Sequence, residues 1–282
     1  MEQNNKDNST KEKEIFSKME IKYSKSKSDI WAELESKVDE NAQPLSDKKV
    51  VKMSFVKWAA AAIILVTFGL GLFAKLHTVT SSVSKGEFAT HKLPDGSTVY
   101  LNAESSISYQ PYWWNINREV SLEGEAFFEV QKGEQFTVTS DMGSTQVLGT
   151  SFNIFARDDF YSVYCSTGKV KVNDSEGEAV FLDPGMSAEI IENQLTFSEL
   201  TENEALSWRQ NKFVYNATPL DKVFKDLERH YDISIEAKKQ IKSELFTGVF
   251  DREVSAEDAL KIICLSFELK IEKKSKKSFR LY

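Results

Sequence analysis

Residues 58–74 read WAAAAIILVTFGLGLFA, a run without a charge between Lys57 and Lys75. As a helix rising about 1.5 Å per residue it covers about 25 Å, slightly less than a hydrocarbon core of about 30 Å. Phe55, Val56 and Leu76 extend it, and the flanking lysines reach the interfaces along their own apolar stems. A core helix of a soluble domain normally keeps one polar stripe, and this run has none. The pattern therefore predicts a transmembrane helix over 56–76. It begins too far from the N-terminus for a secretory signal peptide. Its alanines also lie at its front, not at a cleavage position behind it, so an uncleaved signal anchor is expected. Gly69 and Gly71 loosen the second half of the run. Glycine is common in membrane helices, which is one explanation; the functional alternative is a candidate cleavage region for an intramembrane protease.

The flanks set an expected orientation. Lys48, Lys49, Lys52 and Lys57 crowd the N-terminal side, against Lys75 and then Lys85 and Lys92 on the other. The positive-inside rule puts residues 1–57 in the cytoplasm and 75–282 outside. The expectation is a single-pass protein of the inner membrane with its C-terminus in the periplasm. The first 57 residues hold 12 Lys and 11 Asp plus Glu, so the net charge of −7 belongs to the exterior. That acidic balance argues against direct nucleic-acid binding, which needs a basic surface. A hydrophobic fraction of 41% over 282 residues excludes a wholly disordered chain. Two cysteines are too few for a disulfide scaffold or a four-thiolate metal site.

The expected cytoplasmic segment, 1–55, has too few apolar residues to bury a core of its own. Ile15, Phe16, Met19 and Tyr23 recur at helical spacing. Ser28 reads as a cap ahead of DIWAELESKV, in which Ile30, Trp31, Leu34 and Val38 mark one face. Short amphipathic helices of this kind need a partner groove. Phe16, Met19, Ile30, Trp31, Leu34 and Val38 are the candidate contacts.

From 83 to 192, short alternating runs are separated by turn signals such as Pro94-Asp95-Gly96, Lys132-Gly133 and Pro184-Gly185. They predict an all-β domain, a sandwich or a stacked β architecture. Gly124 is expected to break the ladder between strands at 119–122 and 126–131. Glu125 would then sit at a bend or bulge, within reach of a rim pair with Arg118. Tyr109, Tyr112, Trp113 and Trp114 cluster beside Pro111. Core packing is the commoner explanation of such a cluster, and a surface for a sugar or a protein is the other. A helical linker over 193–212 leads to a β-α-β-β-α-β-β order over 213–282, a small C-terminal α+β domain. Thr218-Pro219 reads as one helix start there, and Ser255 with Asp258 as another.

Several phrases carry a family resemblance. LPDGSTVYLNAESSISY at 93–109, REVSLEGEAFFEVQK at 118–132, FTVTSDMGSTQVLGTSFNIFA at 136–156, STGKVKVN at 166–173 and LDPG at 182–185 stand in order. Together they resemble the FecR family of transmembrane anti-sigma regulators. FVYNATPLDKVFKDLERHYDISI at 213–235 and FTGVFDREVSAEDALKIICLSFELKI at 246–271 resemble the C-terminal domain of such proteins, itself similar to short domains of secretins and TonB-dependent receptors. The resemblance implies a signal transducer between two partners. One is the signalling domain of an outer-membrane transporter for iron or a glycan. The other is an extracytoplasmic-function sigma factor, with regulated proteolysis in between. Its docking strand would be Phe246, Thr247, Gly248, Val249 and Phe250, a sheet edge able to accept a partner strand.

No catalytic chemistry is expected. His77, His91 and His230 share no metal-ligand spacing with another His, Cys or carboxylate, and no GxSxG, P-loop or HExxH occurs. His230 stands near a helix end, where a cation suits the dipole. Cys165 and Cys264 are expected as buried thiols, and no cofactor is implied. The competing expectation is a membrane-anchored periplasmic binding protein whose aromatic-rich β domain holds a glycan or peptide.

Overall fold

The computed structural model describes Lys13, Ser17 and residues 25–40 and 55–282; Phe16 and Met19, with Ile15 and Tyr23, lie outside the described residues. The chain divides into two units, 1–62 and 63–282. The first helix, α1, spans Lys27–Glu40. Ser26 caps it, in place of the expected Ser28: Asp29 N donates to Ser26 Oγ at 3.2 Å and Ser26 N donates to Asp29 Oδ2 at 3.2 Å. The reason is the reciprocal capping box, which needs an acidic residue three positions after the cap.

Helix α2 spans Phe55–Leu76. Its 22 residues cover about 33 Å, enough for a bilayer core without stretching. Among the described residues one helix is long and apolar enough to cross a membrane, and it is this one, with none of its apolar window buried. Gly69 and Gly71 leave it unbroken, and a Cβ at either would meet nothing within 4 Å.

Thirteen strands follow. β1 to β4 are Val79–Val83, Ala89–Lys92, Thr98–Leu101 and Ser105–Tyr109, and β5 is Arg118–Glu129. β6 to β9 are Phe136–Thr139, Gly143–Val147, Ser151–Arg157 and Phe160–Thr167. β10 to β13 are Val170–Asp174, Ala179–Leu182, Ser187–Ile191 and Gln194–Ser198. They form two layers that share β5. One runs β1-β4-β5-β6-β7-β10-β11, the other β2-β3-β5-β8-β9-β12-β13. Only the β5–β6 pair is parallel within these layers.

β5 is one strand where the sequence suggests two. Residues 118–123 belong to the first layer, with β4 and β6, and 124–129 to the second, with β3 and β8. The change occurs at Gly124, with φ of 106°. Between the layers lie Phe128, Phe136 and Phe152, with Phe128 stacked on Phe152 at 5.1 Å and edge-on to Phe136 at 6.2 Å. Tyr109 and Trp114 belong to this core too, while Tyr112 is exposed. The aromatic cluster thus splits, and two of its four rings are unavailable to a ligand.

Both ends of the sandwich differ from the sequence expectation. Its first strand begins at Val79, where the boundary was expected at 83. Its last, β13, lies inside the expected linker. Glu192 and Asn193, at φ of 50° and 62°, make the two-residue hairpin turn between β12 and β13. Neither is glycine, so the turn carries no strong signal.

The remaining elements begin with α3, Glu202–Ala205, held by a capping box of Thr201 and Glu204, and a 3-10 turn, Ser207–Gln210. Then come β14, Lys212–Pro219, α4, Leu220–Tyr231, β15, Ser234–Ala237, and the short α5, Lys239–Lys242. β16, Leu245–Asp251, α6, Ala256–Ser266, β17, Ile271–Ser275, and β18, Ser278–Leu281, complete the chain. β14 pairs with β16, and β15-β18-β17 form a second sheet. Leu220, Val223, Phe224 and Leu227 of α4 and Ala259, Leu260, Ile263 and Cys264 of α6 fill a core of their own. Ser255 caps α6, accepting from Asp258 N at 3.1 Å. Thr218 does not cap α4. β14 bulges after Tyr215 and resumes pairing at Thr218, so the helix starts at Leu220 with Pro219 before it and no side-chain cap bond.

Candidate functional site

Two surfaces and one buried junction carry the functional interest. On α1, Trp31 is 62% exposed, Leu34 48% and Val38 67%. Their spacing of three and four places them along one side of the helix, with Ile30 half-buried beside them. On β16 the strand alternation divides the five candidate docking residues. The side chains of Phe246 and Phe250 point into the core, whereas those of Val249 and the neighbouring Leu245 face out. Thr247 Oγ1 accepts from Ala217 N at 2.9 Å and holds the β14 bulge. Gly248 lies over the Phe246 ring, where an added Cβ would come within 2.6 Å of Cζ. β16 pairs on one side only, with β14, so its other edge has no strand partner among the described residues.

The junction lies where the sandwich meets the C-terminal segment. Glu125 does not pair with Arg118. Arg118 instead binds Asp95, its Nε donating at 2.9 Å, and also donates to the Gln131 carbonyl at 3.0 Å. Glu125 Oε1 accepts from Asn153 Nδ2 at 3.0 Å and Oε2 from Asn102 Nδ2 at 2.6 Å. Both asparagines are buried, and each reaches a different neighbour. Asn153 Oδ1 accepts from Trp208 Nε1 at 3.2 Å, and Asn102 Oδ1 from an Arg252 guanidinium nitrogen at 3.4 Å. One carboxylate therefore ties the sandwich to the 3-10 turn and to the loop after β16. Packing reinforces the tie. Ala205, Leu206 and Trp208 pack against Phe127 and Tyr164, and Arg209 lies 4.1 Å from the Tyr100 and Phe127 ring centroids. The expected linker is thus a packed wedge.

Glu125 keeps an opening onto a cavity of 160 Å³, also lined by Tyr215, Asp226, Arg229, His230 and Arg252. Burial pushes its carboxyl pKa up, against the two asparagine amides and Arg157, which favour the charged form. Burial likewise lowers the Arg252 and Arg157 guanidinium pKa values. Burial and then Arg252 lower the His230 pKa, which disfavours the helix-end cation expected, and its Nε2 lies 3.1 Å from the Arg252 carbonyl. Tyr215 Oη, His230 Nδ1 and Arg252 Nε have no hydrogen-bond partner among the described residues.

Glu125→Ala is expected to cost about 2 kcal/mol, because it leaves two buried amide donors without an acceptor. It should also change the pH profile. Above its ordinary value of 4.5, the unfolded chain releases the Glu125 proton while the folded chain still holds it. Stability therefore falls as pH rises through that window and levels off above the raised pKa. The variant should lose this fall, and urea unfolding across mildly acidic pH measures it.

Cys165 and Cys264 are both free and buried. Burial, and then Asp183, push the Cys165 thiol up to about 11. No group of three or more His, Cys, Asp or Glu among the described residues is placed to hold a metal ion.

These features define a chain with, among the described residues, one membrane-length helix and a β-rich remainder whose prominent sites are surfaces and a packed junction. The family model for the FecR protein matches residues 79–171, and that for the FecR C-terminal region matches 212–279. The first starts at β1, and LDPG at 182–185 falls outside it. Two crystal structures from Parabacteroides distasonis ATCC 8503, at 2.50 and 1.65 Å, are each described as a candidate anti-sigma factor. Each is 30% identical and matches with a TM-score of 0.67, covering 73% and 72% of this chain and 99% and 98% of theirs. No curated protein matches the sequence. The chain belongs to the FecR family.

Proposed function

We propose that this chain is a membrane-anchored anti-sigma factor, relaying the state of an outer-membrane transporter to an extracytoplasmic-function sigma factor. The observation that carries the proposal is the exposed Trp31–Leu34–Val38 stripe, on a helix N-terminal to a membrane-length helix in a FecR-family chain. An exposed stripe with a tryptophan at its head is the form an amphipathic helix takes before it enters a partner's groove. Residues 1–55 would be cytoplasmic and 56–76 the span. The sandwich, better bounded by 79 and 198 than by 83 and 192, and the α+β segment over 213–282 would be periplasmic. On this proposal the free edge of β16, with Leu245 and Val249 outward, takes a strand of the transporter's signalling domain. Gly69 and Gly71 mark where a protease would cut the span to release the sigma factor.

Purifying the tagged full-length chain from its own cells, with mass spectrometry of what comes with it, tests the role. A sigma factor retained by the full chain and lost when residues 1–50 are removed is the expected result. Full function without those residues would favour a periplasmic binding protein and overturn the proposal.

A further inference from the structure

Only His77 and Thr78 separate α2 from β1. The backbone from Leu76 to Val79 spans at most about 11 Å, so the first layer starts within that reach of the apolar helix whatever the tilt. Register shows which end of the layer this is. Val79 pairs with Tyr109, and Tyr109 with Val120. Arg118 pairs with Phe136, and Phe136 with Val147. The loop 110–117 between β4 and β5, and Leu148 after β7, therefore lie at the helix end. The turn 175–178 lies at the opposite end, beyond Asp174, which pairs with Gly143.

The helix-end loop has an unusual composition for its place. From Ser105 to Asn117 there is no charged residue, in a chain that is 28% charged. Tyr112 is 64% exposed, Ile116 70% and Leu148 65%. Trp113 is half-buried between them in sequence. The Tyr112 ring lies 6.1 Å from that of Phe73, in the last turn of α2, and 5.3 Å from that of His77. Apolar side chains held this close to a span continue its apolar surface onto the sandwich.

We propose that the loop 110–117 rests in the headgroup layer of the bilayer that α2 crosses, with Tyr112 and Ile116 inserted among the lipids and Leu148 beside them. That layer is about 5–8 Å deep on each side, within the reach set by the two connecting residues. Tyrosine and tryptophan favour it because a ring with one polar tip satisfies both the apolar and the wet side. The occupant is fixed by continuity: the nearest apolar phase to these side chains is the one that already surrounds Phe73 and Leu76. The inference rests on α2 being a membrane span.

Nitroxide labels read depth directly. Cysteines would be placed singly at Ile116, at Val66 in the middle of α2, and at Glu176 in the far turn, in the full chain reconstituted into phosphatidylcholine–phosphatidylglycerol vesicles. Cys165 and Cys264 are buried, and the unsubstituted chain gives their labelling background. The expected result is an oxygen-to-nickel-chelate collision ratio several-fold higher at 66 and at 116 than at 176. A high ratio at 66 with a ratio at 116 equal to that at 176 overturns the inference and leaves the span intact. A low ratio at 66 overturns the span and the inference with it. Tyr112→Ser with Ile116→Ser should lower the ratio at a label on Leu148 without changing that at 176; no change at Leu148 counts against insertion.

Discussion

Replacing Trp31 or Leu34 by alanine is expected to weaken the complex with the sigma factor by about 2 kcal/mol or more each, roughly thirtyfold in Kd. Both side chains are exposed, so truncation removes little packing among the described residues. Alanine is also a better helix former than tryptophan, so α1 should persist. The loss would then lie in the partner's groove. Ser36, on the opposite side of the helix, bonds among the described residues to the Glu33 carbonyl at 3.0 Å through its side chain, so Ser36→Ala should bind as the parent does. Titration of the retained sigma factor against the full chain in nanodiscs measures the difference. Equal affinity for Trp31→Ala, Leu34→Ala and Ser36→Ala would reject the assignment of this face.

The second large effect is structural. Gly124→Ala should destabilise the sandwich by about 3 kcal/mol or more. Two costs combine. A side chain at φ of 106° is strained whatever the space around it. An added Cβ would also lie 2.7 Å from Ser105 Cα and 2.5 Å from its Oγ, and that backbone is fixed by β4 pairing with β5. Gly177→Ala separates the two costs. It has φ of 97° but nothing within 4 Å of its Cβ, so only the backbone cost of about 1 kcal/mol remains. Thermal unfolding of both variants checks the contrast, and equal losses would show that the Ser105 contact carries no weight.

Gly124 also shows what was legible in the sequence. The glycine and its neighbours pointed to a bend, and a bend is there. Whether the ladder stops or turns is not written locally, because it depends on β4 and β3 taking opposite halves of one strand. Glu125 reads as a rim residue for the same reason: a charge next to a turn signal usually faces water. Its setting comes from Asn102, Asn153 and Trp208, all more than 20 residues away, and no periodicity links them. β1 carries no boundary signal because no glycine or proline separates it from the apolar helix. β13 carries none because Glu192-Asn193 turns without glycine. By contrast the stripes Leu220, Val223, Phe224 and Leu227 of α4 and Ala259, Leu260, Ile263 and Cys264 of α6 stand at helical spacing in the sequence and need no distant partner to be recognised.

The position of β1 has a mechanical side. Its N-terminal end is joined to α2 through two residues. Beyond its C-terminal end, Gly86 N donates to the Arg229 carbonyl of α4 at 2.8 Å, and Phe88 lies against His230 at 5.8 Å and under Arg252 at 5.6 Å. Part of a pull on the C-terminal segment is therefore carried along β1, beside the part that enters the sandwich through the Glu125 junction. Its five backbone pairs with β4 hold it to the first layer, so sliding β1 along its length would load all five in shear together instead of unzipping them one by one. β1 is a tie rod: short, stiff along its length, and without slack between the end that is tugged and the end that holds.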